Sequence, residues 1–182
     1  AFFAVPMLGS TLHTVNIRLS PSQIAYTIDH AEDDVILFHA DFIPLLEEVM
    51  LEVKRDARLI VMRDSADIEL PQTTLKIEAI LDELFLDTDQ YFSFPDFDEN
   101  TRATTFYTTG TTGNPKAVAY SHRQLVLHTM GILATFGPMS ANNRFHNRDV
   151  YMPITPMFHV HGWGFPYAAT MLGLKQIYPN RY

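Results

Sequence analysis

The most informative absence is cysteine: with none in 182 residues, disulfide bonds and thiolate metal sites are excluded. Positive charge is scarce as well, because 13 Lys and Arg stand against 21 Asp and Glu, for a formal net charge of −8. With no basic stripe, a nucleic-acid partner is not expected. No apolar run reaches about 18 residues, so the sequence predicts no transmembrane segment. The remaining composition, 47% hydrophobic and 19% charged, is typical of a soluble globular protein, which we expect in the cytoplasm.

The first part of the chain alternates between helical and extended patterns. Residues 20–23 (Ser-Pro-Ser-Gln) form a capping-box sequence that starts a helix. Apolar residues from 42 to 53 recur at i, i+3, i+4 and i+7, which predicts a second helix, capped by Asp41. Short apolar runs at 35–38 and 59–62 are typical of buried strands. This α-β-α-β order predicts the α/β fold class, with mostly parallel sheets flanked by helices.

Further elements are predicted along the rest of the chain. An apolar stripe predicts a helix at 77–84, and Ser121 has the position of an N-cap for another helix. An acidic, irregular stretch between them contains Phe92, Phe94 and Phe97, which we expect to anchor this loop on the core. The last predicted elements are a strand at 150–154, a helix at 166–172 and a strand at 175–178.

The stretch 107–116 (Tyr-Thr-Thr-Gly-Thr-Thr-Gly-Asn-Pro-Lys) separates two apolar runs that we expect to be strands. Glycine and proline interrupt regular structure, so the stretch itself is predicted to be a tight loop. Its glycines permit the positive φ values and close backbone approach that a bulky anion needs. Threonine hydroxyls and the lysine ammonium add donors suited to a polyphosphate. The candidate phosphate-binding residues are Thr108, Thr109, Gly110, Thr111, Thr112, Gly113 and Lys116.

A plain hairpin loop is the alternative, since a Thr/Gly-rich turn needs no ligand. The P-loop pattern G-x-x-x-x-G-K-[ST] is absent, because Lys116 follows Pro115 and precedes Ala117. An acidic chain that binds ATP has to concentrate positive potential locally, which draws attention to Lys116 and to Arg123. Composition and spacing leave both interpretations open.

A second unusual stretch, 156–164, contains two histidines two residues apart. His159 and His161 could face the same way only in extended structure, and the spacing offers no third ligand, so a metal site has little support. A structural histidine packed against Phe158 and Trp163 is the simple alternative. In a third interpretation, His159 lies over a crevice beyond the carboxyl ends of the strands, shared with the Thr/Gly loop.

These two stretches resemble motifs of one family. The loop is similar to [YF]-[TS]-[ST]-G-[ST]-T-G-x-P-K-G-V, the signature of the adenylate-forming superfamily of acyl-CoA synthetases, peptide-synthetase adenylation domains and luciferases. Its single departure is Ala117, where the family usually has glycine. Residues 156–159 (Pro-Met-Phe-His), followed by Gly162, resemble the superfamily's P-[LM]-F-H-x-x-G motif. With Trp163 and Pro-Tyr-Ala-Ala-Thr after it, this element is most similar to medium- and long-chain fatty acyl-CoA synthetases.

The resemblance implies a two-step reaction in the parent enzyme. A fatty acid and ATP give an acyl-adenylate and pyrophosphate, and coenzyme A then displaces AMP. By matched position, residues 108–116 would wrap the β- and γ-phosphates, with Lys116 and His159 as catalytic residues and the Thr108 hydroxyl on Mg²⁺. His159 would orient the carboxylate or flank the adenylate, and Trp163 would line or gate the acyl tunnel. ATP, Mg²⁺ and coenzyme A are the implied cofactors and cosubstrates.

The resemblance also implies that residues 1–182 are a fragment of the large N-terminal domain of such an enzyme. Residues 1–100 would belong to one α/β subdomain and 101–182 to the phosphate-loop subdomain, with the C-terminal domain absent. The chain alone is therefore expected to have little or no ligase activity. Two other functions stay open: a non-catalytic or degenerate nucleotide-binding module, which Ala117 would suit, and an adenylation enzyme for an aryl or amino acid. A homodimer is one option for its assembly.

Overall fold

The computed structural model describes residues 1–88, 91–108, 113–140 and 144–179, except for the side chain of Asp87. The helices are α1 (Ala4–Met7), α2 (Pro21–Ala31), α3 (Ile43–Met50), α4 (Leu81–Leu84), α5 (His122–Phe136), α6 (Val160–Trp163) and α7 (Phe165–Met171), with 3-10 turns at Ala40–Phe42 and Phe85–Asp87. The strands are β1 (Leu12–Thr14), β2 (Val35–His39), β3 (Arg58–Met62), β4 (Ile77–Ile80), β5 (Arg102–Thr108), β6 (Lys116–Ser121), β7 (Val150–Tyr151) and β8 (Lys175–Gln176). The predicted α/β fold class is confirmed.

These elements form two compact units, each assembled from separate parts of the chain. Unit 1 comprises Ala1–Asn16, Pro95–Thr108 and Ala117–Tyr182, and unit 2 comprises Ile17–Phe94 and Thr109–Lys116. The expected boundary at residue 100 refers to subdomains of a larger domain and stays a prediction. Within the described ranges, no helix has both the length and the apolar character needed to cross a bilayer.

Unit 2 is built on a parallel sheet in the order β2-β3-β4. The central strand β3 buries Leu59 and Val61, which are 4% and 0% exposed, as the apolar run predicted. Its neighbour β2 is an edge strand and leaves Val35 and Leu37 about two-fifths exposed. The predicted capping box of α2 is confirmed, since Ser20 Oγ accepts the Gln23 N–H and Gln23 Oε1 accepts the Ser20 N–H.

Two predictions about unit 2 are wrong. Asp41 does not cap α3: it lies inside a 3-10 turn whose N-cap is His39, and the ring of His39 accepts the Asp41 N–H at 3.2 Å. The predicted helix at 77–84 begins only at Leu81, because Ile77–Ile80 forms strand β4. Parallel pairing with β3 overrides the helical spacing there, and β-branched isoleucine suits a strand.

Unit 1 contains the sheet β1-β5-β6, in which β1 and β5 are parallel, and a small parallel pair of β7 with β8. Five consecutive residues of β5, listed here as Ala103, Thr104, Thr105, Phe106 and Tyr107, are buried. Strand β6 leads directly into α5, whose predicted N-cap Ser121 forms a capping box with Gln124. The order of β5, loop and β6 therefore agrees with the predicted strand–loop–strand arrangement.

The three phenylalanines of the acidic stretch do not share one environment. Phe97 packs on unit 1, where its ring lies 4.7 Å from that of His122 and 3.3 Å from the position of a Cβ on Gly9. Phe92 and Phe94 are 62% and 49% exposed and contact each other at 5.0 Å. Anchoring on a core is therefore confirmed for Phe97 and wrong for the other two.

Candidate functional site

The Thr/Gly loop connects the end of β5 to the start of β6. Thr108, the last residue of β5, is half-buried, and Lys116, the first residue of β6, is exposed. The candidates Thr109, Gly110, Thr111 and Thr112 lie outside the described residues. The two candidates with the most specific roles, a hydroxyl and an ammonium group, thus stand at the two ends of the loop.

Gly113 has the backbone conformation that the sequence predicted. Its φ is +103°, a value that L side chains rarely adopt, and no described atom lies within 4 Å of where its Cβ would be. Glycine is required there by the backbone rather than by a close neighbour. The following Pro115 is buried, so this end of the loop is attached to the protein just before Lys116.

Arg123, the second cation near the loop in the sequence, has a partner of its own. Its Nη1 lies 2.6 Å from Glu99 Oε1, and its backbone N–H donates to the Glu99 carbonyl oxygen at 2.8 Å. Its charge is therefore matched by a carboxylate, which makes Lys116 the stronger candidate for an anionic ligand.

The His-x-His stretch is not extended. Every residue of α6 and the glycine after it has positive φ, with values of 49°, 51°, 62°, 59° and 75° for residues 160–164 in order. These five residues, called here the left-handed turn, wind opposite to an ordinary α-helix. The two imidazoles are therefore not presented on one side of a strand, and the described residues contain no group of three or more potential metal-ligating side chains.

The two histidines of this stretch differ in exposure to solvent. His159, just before the turn, is exposed, and its ring contacts that of Trp163 edge-on at 6.2 Å with an interplanar angle of 72°. Trp163 is itself 56% exposed. His161 is 2% exposed and is the structural histidine of the pair, although Phe2 and Phe106, not Phe158 and Trp163, provide its ring contacts.

Burial controls the ionisation of two groups near the turn. Burial, with a smaller contribution from the nearby His13, lowers the pKa of His161 to about 4, so the imidazole is neutral at neutral pH. Burial also raises the pKa of Tyr167 on α7 to about 12, which keeps the phenol protonated. Both groups are therefore uncharged at neutral pH.

His128 of α5 is a functional candidate that sequence reasoning missed. Its Nε2 lies 3.2 Å from the carbonyl oxygen of Trp163, so helix α5 contacts the left-handed turn through this side chain. The sequence contained one signal for this arrangement, the closely spaced Gly162 and Gly164, since glycine is favoured where φ is positive.

Comparison with known proteins shows which enzymes the chain is similar to. The chain is 43% identical over 180 residues to a long-chain-fatty-acid–CoA ligase of Thermus thermophilus, an alignment that covers 99% of this chain and 30% of the relative. It is 41% identical over 187 residues to a 3-methylmercaptopropionyl-CoA ligase of Ruegeria pomeroyi, covering 98% and 32% respectively. A medium-chain-fatty-acid–CoA ligase of Ectopseudomonas oleovorans is 38% identical over 182 residues, covering 98% and 32%. The chain spans about a third of the length of these curated relatives.

Solved structures with little sequence identity have the same fold. A red-emitting luciferase of Phrixothrix hirtus aligns with a TM-score of 0.76 at 19% identity, over 97% of this chain and 33% of that one. The N-terminal domain of FACL13 from Mycobacterium tuberculosis aligns with a TM-score of 0.68 at 19% identity, over 100% and 40%. The family of AMP-binding enzymes matches residues 1–182, the whole length of the chain. The chain belongs to the AMP-binding enzyme family, and its fold is that of the N-terminal domain of adenylate-forming enzymes.

Proposed function

We propose that residues 1–182 carry the ATP-polyphosphate loop and the acyl-site element of a ligase that joins a fatty acid to coenzyme A. The observation that carries the proposal is the loop itself, placed between β5 and β6 of an AMP-binding enzyme, with Thr108 and Lys116 at its ends. Relatives named as ligases of long-chain and medium-chain fatty acids support the substrate class. A cytoplasmic location and assembly as a homodimer complete the proposal.

The proposed reaction of the parent enzyme has two steps. The carboxylate of the acid attacks the α-phosphorus of ATP, and the bond from this phosphorus to the β-phosphate breaks. Pyrophosphate departs and an acyl-adenylate remains. The thiol of coenzyme A then attacks the acyl carbon, and AMP leaves with the electrons of the broken C–O bond. The protein has to neutralise the polyphosphate and align the carboxylate with phosphorus for in-line attack.

The loop would perform the first of these tasks. The ammonium of Lys116 and the amide and hydroxyl groups of residues 108–113 would hold the β- and γ-phosphates. The half-buried hydroxyl of Thr108 fits Mg²⁺, because this ion commonly takes one or two protein oxygens and completes its shell with phosphates and water. When bound, Mg²⁺ supplies positive charge to the leaving pyrophosphate.

His159 and Trp163 would perform the second task. Their rings are exposed and in edge contact, so both are accessible to a ligand. His159 would orient the carboxylate or flank the adenylate, and Trp163 would line or gate the path of the acyl chain. His161, two residues from each of them along the chain, is uncharged at neutral pH, which is compatible with an apolar substrate.

Calorimetric titration with ATP and Mg²⁺ tests the loop assignment. The wild-type chain should bind ATP, and Lys116→Ala should weaken binding at least tenfold, since a charge-assisted bond to phosphate contributes about 1.5–3 kcal/mol. Lys76→Ala removes an exposed lysine just before β4 and is the matched control, with wild-type affinity expected. Equal affinities in all three proteins would overturn the assignment of Lys116.

A nucleotide-binding module without catalysis is the second candidate, and Ala117 favours it. Glycine at this place in the family allows the backbone to yield as pyrophosphate leaves, whereas a Cβ restricts it. We expect the 182-residue chain to release little or no pyrophosphate from ATP and a fatty acid, because the family's later segments lie outside it. Ala117→Gly should bind ATP with unchanged affinity, whether or not the wild-type chain is catalytic. Release of pyrophosphate above background by the wild type would contradict the expectation that the chain alone is inactive.

An adenylation enzyme for an aryl or amino acid is the third candidate. Titration with decanoate, benzoate and phenylalanine, each with ATP present, separates the acid classes. Binding of decanoate alone supports the fatty-acid assignment, and preferential binding of benzoate or phenylalanine would replace it.

A further inference from the structure

The two histidines of the His-x-His pair have opposite exposure, and the buried one has no role in the proposed chemistry. His161 is 2% exposed and follows His159 by two residues. It occupies the second position of the left-handed turn, with φ of 51° and ψ of 40°. A histidine buried at such a position is more costly than an apolar residue, unless its ring makes specific contacts.

One threonine hydroxyl connects His161 to the residue before His159. Thr14 Oγ1 of β1 donates to the carbonyl oxygen of Phe158 at 3.4 Å and lies 3.4 Å from Nδ1 of His161. Since the hydroxyl proton is directed to the carbonyl, its oxygen accepts from a protonated Nδ1. This relay requires the Nδ1–H tautomer of a neutral imidazole, and the low pKa of His161 keeps the ring neutral. The hydroxyl of Thr14 thus joins strand β1 both to His161 in the turn and to Phe158 just before it.

Two aromatic rings fix the plane of the imidazole. Phe2 and Phe106 contact the His161 ring edge-on at centroid distances of 5.6 and 5.3 Å, with interplanar angles of 83° and 81°. Edge-on ring contacts of this kind stabilise aromatic pairs beyond the burial of their surface. Phe106 belongs to β5, the strand that also ends in Thr108. The ring of His161 is thereby held by β1 through a hydroxyl and by β5 through a ring.

The left-handed turn needs such contacts because its backbone is unfavourable for the residues it contains. Val160, His161 and Trp163 are L residues with φ between 49° and 59°. The left-handed conformation is strained for such residues, and most of all for a β-branched residue such as valine. Contacts that exist only in this conformation have to offset that strain, and among the three residues His161 is the buried one.

We propose that His161 is a positioning residue, which holds the left-handed turn through Thr14 and thereby sets the relative placement of the His159 and Trp163 rings. The consequence for the substrate rests on the proposed function: the turn presents both rings to the acid in one fixed arrangement. His161 itself contacts neither phosphate nor acid in this scheme. This role depends on the hydrogen-bonding nitrogen of His161, and variants can separate that nitrogen from the ring volume.

The single tryptophan of the chain makes the placement of the turn measurable without activity. Trp163 emission and its quenching by acrylamide report how far the indole is exposed. Thr14→Val removes the bridging hydroxyl at nearly constant volume and should shift emission to longer wavelength and increase quenching. Thr14→Ser keeps the hydroxyl and is the matched control, with wild-type emission expected. Equal emission in the Val and Ser variants would overturn the proposal.

A second pair of variants separates the Nδ1 donor of His161 from its ring. His161→Asn keeps a donor near the place of Nδ1 and tolerates positive φ, so wild-type emission is expected. His161→Phe keeps the ring and removes the donor, so its emission should match that of Thr14→Val. If His161→Phe does not fold, the Thr14 pair and His161→Asn still decide, because a folded Asn variant with shifted emission contradicts the proposal.

Titration of Trp163 emission with decanoate, with ATP and Mg²⁺ present, separates this inference from the proposed function. If decanoate changes the emission of the wild type but Thr14→Val behaves identically, the positioning role fails and the acyl site stands. If Thr14→Val shifts the emission of the free protein while decanoate changes neither protein, the positioning role stands and the acyl-site assignment fails. A weaker response to decanoate in Thr14→Val than in Thr14→Ser supports both.

Discussion

The imidazole of His128 lies directly on the backbone of Gly164. A Cβ built on this glycine would be 2.6 Å from Cδ2 and 2.8 Å from Nε2 of His128, too close for atoms that are not bonded. The same Nε2 is 3.2 Å from the carbonyl oxygen of Trp163. Helix α5 therefore contacts the left-handed turn at Gly164, one of the two positions of the turn that have no side chain.

Gly164→Ala is expected to destabilise unit 1 more than Gly173→Ala. Both glycines have positive φ, 75° and 67°, so each substitution costs about 1–2 kcal/mol of backbone strain. Gly173 has no described neighbour within 4 Å of a new Cβ, whereas at Gly164 the ring of His128 must move and lose its contact with Trp163 O. We expect an additional loss of about 1 kcal/mol at Gly164. Urea unfolding followed by Trp163 emission measures both.

The control for this comparison is to make both glycine substitutions in a His128→Ala variant. Without the imidazole, the two glycine substitutions should cost the same. A difference that persists in this background would mean that another contact distinguishes the two sites.

The stability of unit 1 should fall as the pH decreases from about 6.5 to about 4. In this window the unfolded chain protonates His161, while burial keeps the folded imidazole neutral with its pKa at about 4. At about 1.4 kcal/mol per pKa unit, the full loss is about 3 kcal/mol and does not grow at lower pH. His161→Asn removes this contribution, so its stability curve should be flatter in the same window. Urea midpoints measured at half-unit pH steps check the slope, and parallel curves for the two proteins would contradict the prediction.

Glu47 on α3 is expected to stabilise unit 2 in a pH-dependent way. Its Oε1 accepts from the Thr74 N–H at 2.8 Å and from the hydroxyls of Thr73 and Thr74 at 2.8 and 3.0 Å, and these bonds lower the pKa of the carboxyl. A lowered pKa gives stability that is present above the unfolded pKa and lost as the pH falls through the folded one. Glu47→Gln should therefore reduce the urea midpoint more at pH 7 than at pH 3, measured by far-ultraviolet circular dichroism.

The neighbouring Glu48→Gln is the control for this effect. Glu48 is exposed on the same helix, so it matches the change in charge and helix propensity. A loss at pH 7 equal to that of Glu47→Gln would assign the effect to net charge instead of to the threonine contacts.

Ser121→Ala should destabilise α5 by about 1 kcal/mol. The substitution removes the acceptor of the Gln124 N–H at the first turn, and Gln124 Oε1 keeps its bond from the backbone N–H of residue 121 at 2.9 Å. Ser121→Asp preserves an N-cap acceptor and should restore stability, as measured by thermal unfolding. Because α5 begins immediately after β6, amide hydrogen exchange should increase first in its N-terminal turn.

Local motifs predicted the chain best where the interacting residues are close in sequence. The capping boxes at Ser20 and Ser121 each need a partner only three residues away, and both are present. Strand β4 was mistaken for a helix because its apolar stripe fits both structures, and pairing with the distant β3 decides between them. The position of the Thr/Gly stretch between two strands was predictable because glycine and proline interrupt regular structure.

The environment of His161 could not be predicted, because it too depends on residues that are distant in sequence. Its contacts come from Phe2, Thr14 and Phe106, which lie far apart along the chain. The left-handed turn itself was hidden because valine, histidine and tryptophan normally avoid positive φ, so only its two glycines pointed to it.

The left-handed turn has a stereochemical consequence. A backbone with φ near +75° is unfavourable for an L residue. For a D residue the same φ is favourable, because it is the mirror image of the right-handed helical conformation that L residues prefer. Peptide ligation that places D-alanine at position 164 would restrict the unfolded chain and leave the native φ unstrained. Its methyl group would also leave unoccupied the L Cβ position, which lies 2.6 Å from the imidazole of His128. Mirror-image chemistry thus offers a substitution at this position that ribosomal synthesis cannot supply.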